Sequence, residues 1–407
     1  MQDLESVHSI LNKMKKTAFF ITTLMACSAV VYAQKDIQKR YQTQFIMAEN
    51  GSTIELDEGS FTFTTSLSME GKKNIIIKGK GKDKTILSFK GQTEGAEGIR
   101  VSNAENIIIQ DLTVQDSKGD AVKTMNVKGI TFRNVKTEWT GGPKKENGSY
   151  GLYPVQCEKV LIEGCEAIGA SDAGIYVGQS KDIIVRKSRA FRNVAGIEIE
   201  NSLNADVYEN EATENTGGIL VFDLPDLILK KGGYTRVFNN NIHHNNLRNF
   251  APKGNIVGKV PDGTGVLILA ANNVEIFNNQ IIDNKSVSTG IISYFTTENP
   301  IKDPTYYPYP VAINIHDNVF ERQHVKATSK GRFGQMYRFK LRFGKNVPHI
   351  QWDGIVDAKN NQKVLCIKNN KNTSFANLDV EHNFKNVSRD ASVHNCSLES
   401  LKVASID

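Results

Sequence analysis

The sequence predicts an all-β chain wound as a single-stranded parallel β-helix. Three observations lead there: short β-rich strings that recur, a turn position that returns at near-constant spacing, and apolar residues that keep step with it. The strings are Asn74-Ile75-Ile76-Ile77, Asn106-Ile107-Ile108-Ile109, Gly129-Ile130-Thr131-Phe132, Lys159-Val160-Leu161-Ile162, Asp182-Ile183-Ile184-Val185 and Val274-Glu275-Ile276-Phe277. Each alternates or runs apolar over four residues and ends in a polar turn, which is a strand pattern.

The turn position fixes the register. It falls at Leu112, Val135, Cys165, Ser188, Asn210, Asn240, Asn279 and Asn318, with steps of 23, 30, 23, 22, 30, 39 and 39. A step of 22 or 23 is one coil of three short strands and three turns, and the longer steps are coils carrying inserted loops. Two residues further on lie Val114, Thr137, Ala167, Ala190, Ala212, Ile242, Ile281 and Phe320, a mostly apolar column expected to face inward. Stacked coils bring like residues to about 4.8 Å. Asn210, Asn240, Asn279 and Asn318 are therefore expected to form a hydrogen-bonded ladder. A second string begins at Gly151, Gly174, Gly196, Gly218, Gly265 and Gly290; its step of 47 between Gly218 and Gly265 reads as two coils.

Composition bounds the rest. The chain has 407 residues, 39% hydrophobic, and a formal charge of +6. No basic stripe of the kind that grips a phosphate backbone is visible, so nucleic acid is not an expected partner. Lys15 and Lys16 precede the apolar stretch Ala18–Ala26, and Val31-Tyr32-Ala33 offers small residues for cleavage. Residues 1–33 thus read as a signal peptide, with Met14 a natural start and Gln34 the first mature residue. The protein is then exported to the periplasm, cell surface or medium. Leu24-Met25-Ala26-Cys27 also resembles a lipobox, which would anchor the chain at Cys27. The apolar run is too short to span a bilayer, so no transmembrane segment is expected in the mature chain. Residues 34–50 are expected to cap one end, 51–320 to form the helix, and 321–407 to form irregular last coils and a second cap. An oxidising compartment permits a Cys366–Cys396 bridge, while Cys157 and Cys165 read as small core residues.

The strings Asn147–Val155, Ala170–Ser180, Asn193–Ser202 and Gly218–Pro225 resemble exported right-handed parallel β-helix repeat proteins. That group belongs with the pectin-lyase-like superfamily of pectate lyases, polygalacturonases and mannuronan C-5-epimerases. The resemblance covers roughly residues 51–320 and implies a pectin-lyase-like solenoid with capped ends and a polysaccharide partner, anionic where uronates are concerned. The Asp-Pro-His-Asp motif of mannuronan epimerases is absent from this sequence.

Strand alternation sorts the faces. Ile175, Val177, Ile197 and Ile199 point inward, leaving an outward column of Lys123, Tyr153, Tyr176, Glu198 and Leu220 beside one of Met125, Val155, Gly178, Glu200 and Phe222. Gln156, Gln179, Asn201 and Asp223 stand at the strand ends. Tyrosines stack on pyranose faces, while carboxylates and amides bind hydroxyls. The expectation is an exposed polysaccharide-binding face, unless the inserts at 140–149, 226–234 or 246–263 cover it. Proton abstraction at C5 of a uronate, giving lyase or epimerase chemistry, needs a cation, a base and an acid. Lys123 suits the first role, and Tyr153 or Tyr176 the others. Glu198 and Glu200 can instead hold Ca²⁺. Glycoside hydrolysis needs paired carboxyl groups, and Glu198 with Glu200, or Glu200 with Asp223, would serve. A non-catalytic binding or accessory protein is the alternative outside enzymology. Asp172 reads better as a turn-capping residue than as a base. Asp116, Asp120 and Lys253 are weaker candidates. His243 and His244, adjacent on a strand, are expected to point apart.

Overall fold

The computed structural model describes residues 14–16, 36–330 and 335–406. Apart from Met14–Lys16, the expected signal peptide lies outside the described residues, Cys27 included. The chain winds into a right-handed parallel β-helix of three sheets. One sheet, here the site sheet, includes Tyr150–Val155, Ala173–Gly178, Ala195–Glu200, Gly217–Phe222, Thr264–Leu269 and Val287–Ile292. The second includes Glu158–Glu163, Lys181–Arg186, Leu203–Tyr208, Gly233–Phe238, Asn272–Phe277 and Val311–His316. The third is built from three-residue strands such as Arg189–Phe191 and Glu211–Thr213. Every one of these strands pairs in parallel with its counterpart one coil away.

The predicted columns are present. Val114, Thr137, Ala167, Ala190, Ala212, Ile242, Ile281 and Phe320 are direct register partners, and all are buried. Ile175, Val177, Ile197 and Ile199 fill the interior as expected. Each such side chain contributes about 1.5–3 kcal/mol by leaving water, which is why a two-residue period suffices to hold the register.

The asparagine ladder runs through the turns. Asn210 Nδ2 donates to Asn240 Oδ1 at 3.0 Å, Asn240 to Asn279 at 3.0 Å, and Asn279 to Asn318 at 2.9 Å. Each amide also donates to an inner backbone carbonyl, as Asn240 does to Val207 O. A second ladder, Asn193–Asn215–Asn245–Asn284, lies five residues further along each coil.

Two readings need correction. Gly218 and Gly265 stand on adjacent coils, because Gly217–Phe222 pairs directly with Thr264–Leu269. The long step is one coil with large inserts. Gly290 stacks on Leu267 and is therefore out of the glycine column by two residues.

A helix over residues 36–47 covers the first coil and buries Tyr41 and Phe45. Beyond residue 321 the strands are short and irregular, such as Ile350–Trp352 and Leu365–Lys368. Cys366 and Cys396 are bridged, and Cys157 and Cys165 are free and buried.

Candidate functional site

The outward columns of the site sheet stack as the sequence predicts. Lys123 pairs with Tyr153, Tyr176 with Glu198 and Glu198 with Leu220. Gly178, Glu200 and Phe222 follow in the neighbouring column. The face is not open, however. Segments 224–232, 246–263 and 293–310 fold over it, and Val257, Val260, Tyr294 and Tyr306 pack against Tyr176, Leu220, Phe222, Leu267 and Leu269. This second apolar cluster makes burial favourable on the outside of the sheet. The 246–263 insert is a cover the sequence anticipates; the 293–310 segment is not.

Exposure falls along the column. The Lys123 side chain is 24% exposed, Tyr153 is part-exposed, Tyr176 is 4% exposed and Glu198 1%. Solvent therefore meets the cluster at the Lys123 end. There the ammonium lies 4.8 Å over the Tyr153 ring, a cation–π contact. It also stands 3.6 Å from Asp120 and 3.9 Å from Glu97. Tyr150, Tyr153 and Tyr176 form a three-ring cluster with centroids 4.4–5.0 Å apart.

Deeper in, carboxyl groups accumulate without cations. Tyr176 O–H donates to Glu200 Oε1 at 2.6 Å. Asp172 accepts a bond from Asn255 Nδ2 at 2.8 Å. Among the described residues, Glu198 has no hydrogen-bond partner at either oxygen. Burial drives the pKa values of all three carboxyls upward, reinforced for Asp172 by Glu200 and for Glu198 by Glu200 and Asp172. Burial also lifts Asp120 to about 6 and Asp223 to about 7. The same desolvation pushes the phenols of Tyr150, Tyr153 and Tyr176 up, so they are held as proton donors rather than bases.

Gln179, Asn201 and Asp223 hold the covering loop. Gln179 Oε1 accepts the Ile228 N–H, Asn201 bonds Leu224 and Leu229 backbone, and Asp223 Oδ1 accepts the Gly232 N–H at 2.7 Å. Gln156 sits part-exposed in the same turn column. Among the described residues, no group of three or more His, Cys, Asp or Glu is gathered to hold a metal ion.

The right-handed β-helix region family model matches residues 74–229 and 144–305, more than half of the chain. The chain belongs to this family. No curated protein matches it. Among solved structures, the A-module of the Azotobacter vinelandii mannuronan C-5 epimerase AlgE4 is 17% identical with a TM-score of 0.54, covering 84% of this chain and 91% of its own. The AlgE6 A-module from the same organism is 15% identical, with a TM-score of 0.49 and coverage of 83% and 90%. An alginate lyase, AlyF-OU02 bound to G6, is 12% identical, with a TM-score of 0.48 and coverage of 83% and 67%. At these identities the likeness is one of fold.

In this right-handed β-helix, sequence reasoning passes over residues the site contains. Asp120, a weak candidate by sequence, lies three residues before Lys123 on the same coil, and its carboxylate stands 3.6 Å from the ammonium. Asp172 is no turn cap: its carboxyl faces Tyr150 and Asn255. Nothing in the repeat marks Tyr150 or Asn255, and Asn255 arrives on an insert without period. His243 and His244 do not point apart. His244 lies past the strand end with φ of 53°, which turns its ring back so that the two Nδ1 atoms lie 2.8 Å apart.

Proposed function

We propose that this chain is an exported, carbohydrate-active β-helix that removes the C5 proton of a uronate in a polysaccharide. The observation that carries this reading is the juxtaposition of Lys123, Tyr153 and Asp120 at the solvent-reached end of a buried carboxyl–tyrosine cluster. Lys123 neutralises the sugar carboxylate and so acidifies the C5 proton. Asp120, with a pKa of about 6, is matched to a general base at neutral pH. Tyr153, held protonated, donates on the opposite side. Tyr176 packs edge-on against the Tyr153 ring, and Glu200 holds the Tyr176 hydroxyl behind it. Export is supported by the Cys366–Cys396 bridge, which suits an oxidising compartment. Isolation of the native protein with Gln34 at its N-terminus checks this part.

The test is incubation of residues 34–407 with mannuronan, guluronan, polygalacturonate and glucuronan. Ultraviolet absorbance from an unsaturated product marks a lyase, and C5 deuterium exchange an epimerase. Asp120→Asn and Tyr153→Phe should each reduce the rate by about 10²–10⁴. Turnover of none of these polymers overturns the reading. The deep burial of Tyr176 and Glu198 favours a second reading, a non-catalytic glycan-binding scaffold; uronate binding without turnover would select it.

A further inference from the structure

A separate cavity lies on the second sheet. Past the Cys366–Cys396 bridge the C-terminal segment runs back along the outside of this sheet as a strap. Leu401 N–H donates to Glu275 Oε2 at 3.2 Å and Ala404 N–H to Asp206 Oδ2 at 3.2 Å. Between strap and sheet is a cavity of about 670 Å³, a volume that holds a small-molecule ligand. Its walls include Asn204, Tyr234, Asn273, Glu275 and Asn314 from the sheet and Lys402 from the strap.

Three features at these walls point to an occupant. Tyr234 is 50% exposed, although a phenol ring ordinarily gains by burial. It sits in a register column between Asn204 and Asn273, and all three have left-handed backbone, with φ of 61°, 57° and 49° in that order. Asparagine tolerates that conformation better than a bulky residue, so a tyrosine here runs against local preference. Asn314 is buried, yet among the described residues its Oδ1 has no hydrogen-bond partner. Finally, the wall charges are paired or balanced. Glu275 is bonded to His316 and to the strap, while Glu399 and Lys402 carry opposite signs.

We propose that this cavity binds a neutral saccharide segment, independently of the cluster at Lys123. The Tyr234 ring offers a pyranose face its stacking surface. Asn204 and Asn273 each spend one N–H on Asp182 and Asn272, leaving a second N–H and an oxygen for sugar hydroxyls, and Asn314 adds its unpaired Oδ1. A wall without excess positive charge gives a uronate no electrostatic preference. On a polysaccharide of mixed composition such a site would hold neutral blocks while the site sheet meets the acidic ones.

The experiment is calorimetric titration of the whole chain with a panel of neutral hexosan and pentosan hexasaccharides, beside oligo-uronates. At least one neutral hexasaccharide should bind. Tyr234→Asn should weaken that binding at least tenfold while leaving the melting temperature equal or higher, since Asn accepts the left-handed backbone. Lys123→Met should leave it unchanged. Silence across the neutral panel overturns the proposal, as do wild-type affinity in Tyr234→Asn, loss of the neutral ligand in Lys123→Met, or capture of oligo-uronates alone. None of these outcomes depends on whether uronate turnover is found.

Discussion

Two sheets of one solenoid bury carboxyl groups on their outward faces, and they do it differently. On the second sheet, Asp206 is held by the Arg236 guanidinium, whose Nη2 donates to Oδ2 and whose Nε donates to Oδ1 at 2.8 Å. Glu275, one coil beyond Arg236, is bonded by His316 Nε2 at 3.1 Å and by a strap N–H. On the site sheet, Glu198 is equally buried and has neither cation nor hydrogen bond among the described residues. The first arrangement completes a wall. The second leaves a carboxyl buried without a partner, an expensive placement that packing alone does not call for.

The sharpest way to break this contrast is to remove the partner. Arg236→Met leaves the buried Asp206 without its cation and should cost about 3–5 kcal/mol of stability. Glu198→Met replaces an unpaired acid by an apolar side chain and should be neutral or mildly stabilising. Denaturant midpoints of the two variants measure both, and equal losses would erase the distinction. Next in size is Asn240→Ala. It removes the acceptor of the Asn210 N–H and the donor to Val207 O, leaving buried backbone groups unpaired, at about 3 kcal/mol.

The same division governs how much the sequence reveals. Coil spacing and strand alternation place Tyr176, Glu198 and Glu200 on one outward face, because side-chain direction is a local property with period two. Their burial is not legible there. It depends on Val257, Tyr294 and Tyr306, which arrive on inserts that share no period with the coils and dock through tertiary contacts. The second asparagine ladder is legible in principle, since Asn193, Asn215, Asn245 and Asn284 repeat the steps of 22, 30 and 39 seen in the first. The glycine register fails beyond Gly265, where Gly290 matches the motif by composition but stacks elsewhere. Asp172 is undervalued by sequence because a Ser-Asp pair before a strand is a common turn signal, and only the fold brings Asn255 against it.

A pH series sharpens the comparison further. Burial raises the Asp223 carboxyl from an ordinary 3.8 to about 7 in the folded chain. Between those limits the folded state holds the extra proton. Its contribution is fully present below about pH 4 and is lost as pH rises through about 7. Wild type should therefore lose more stability than Asp223→Asn between pH 5 and 8, by at most about 1.4 kcal/mol for each pH unit crossed below 7. Parallel pH curves for the two proteins would refute the role given to burial at this carboxyl.

Among cation removals, a much smaller loss is expected from the substitution that mirrors the largest. Lys123→Met also removes a cation from carboxylates, yet it should cost less than about 1 kcal/mol. The Lys123 ammonium is part-exposed and its nearest carboxylate oxygens lie 3.6 and 3.9 Å away, with no short charge-assisted bond to lose. Asp120, already raised to about 6, can take up a proton when its neighbour leaves, whereas Asp206 loses two direct guanidinium bonds with Arg236. The deficit of Lys123→Met should accordingly shrink at pH 5 and grow at pH 8. A loss as large as that of Arg236→Met, or one insensitive to pH, would make Lys123 a structural cation and remove the reason for placing a uronate carboxylate beside it.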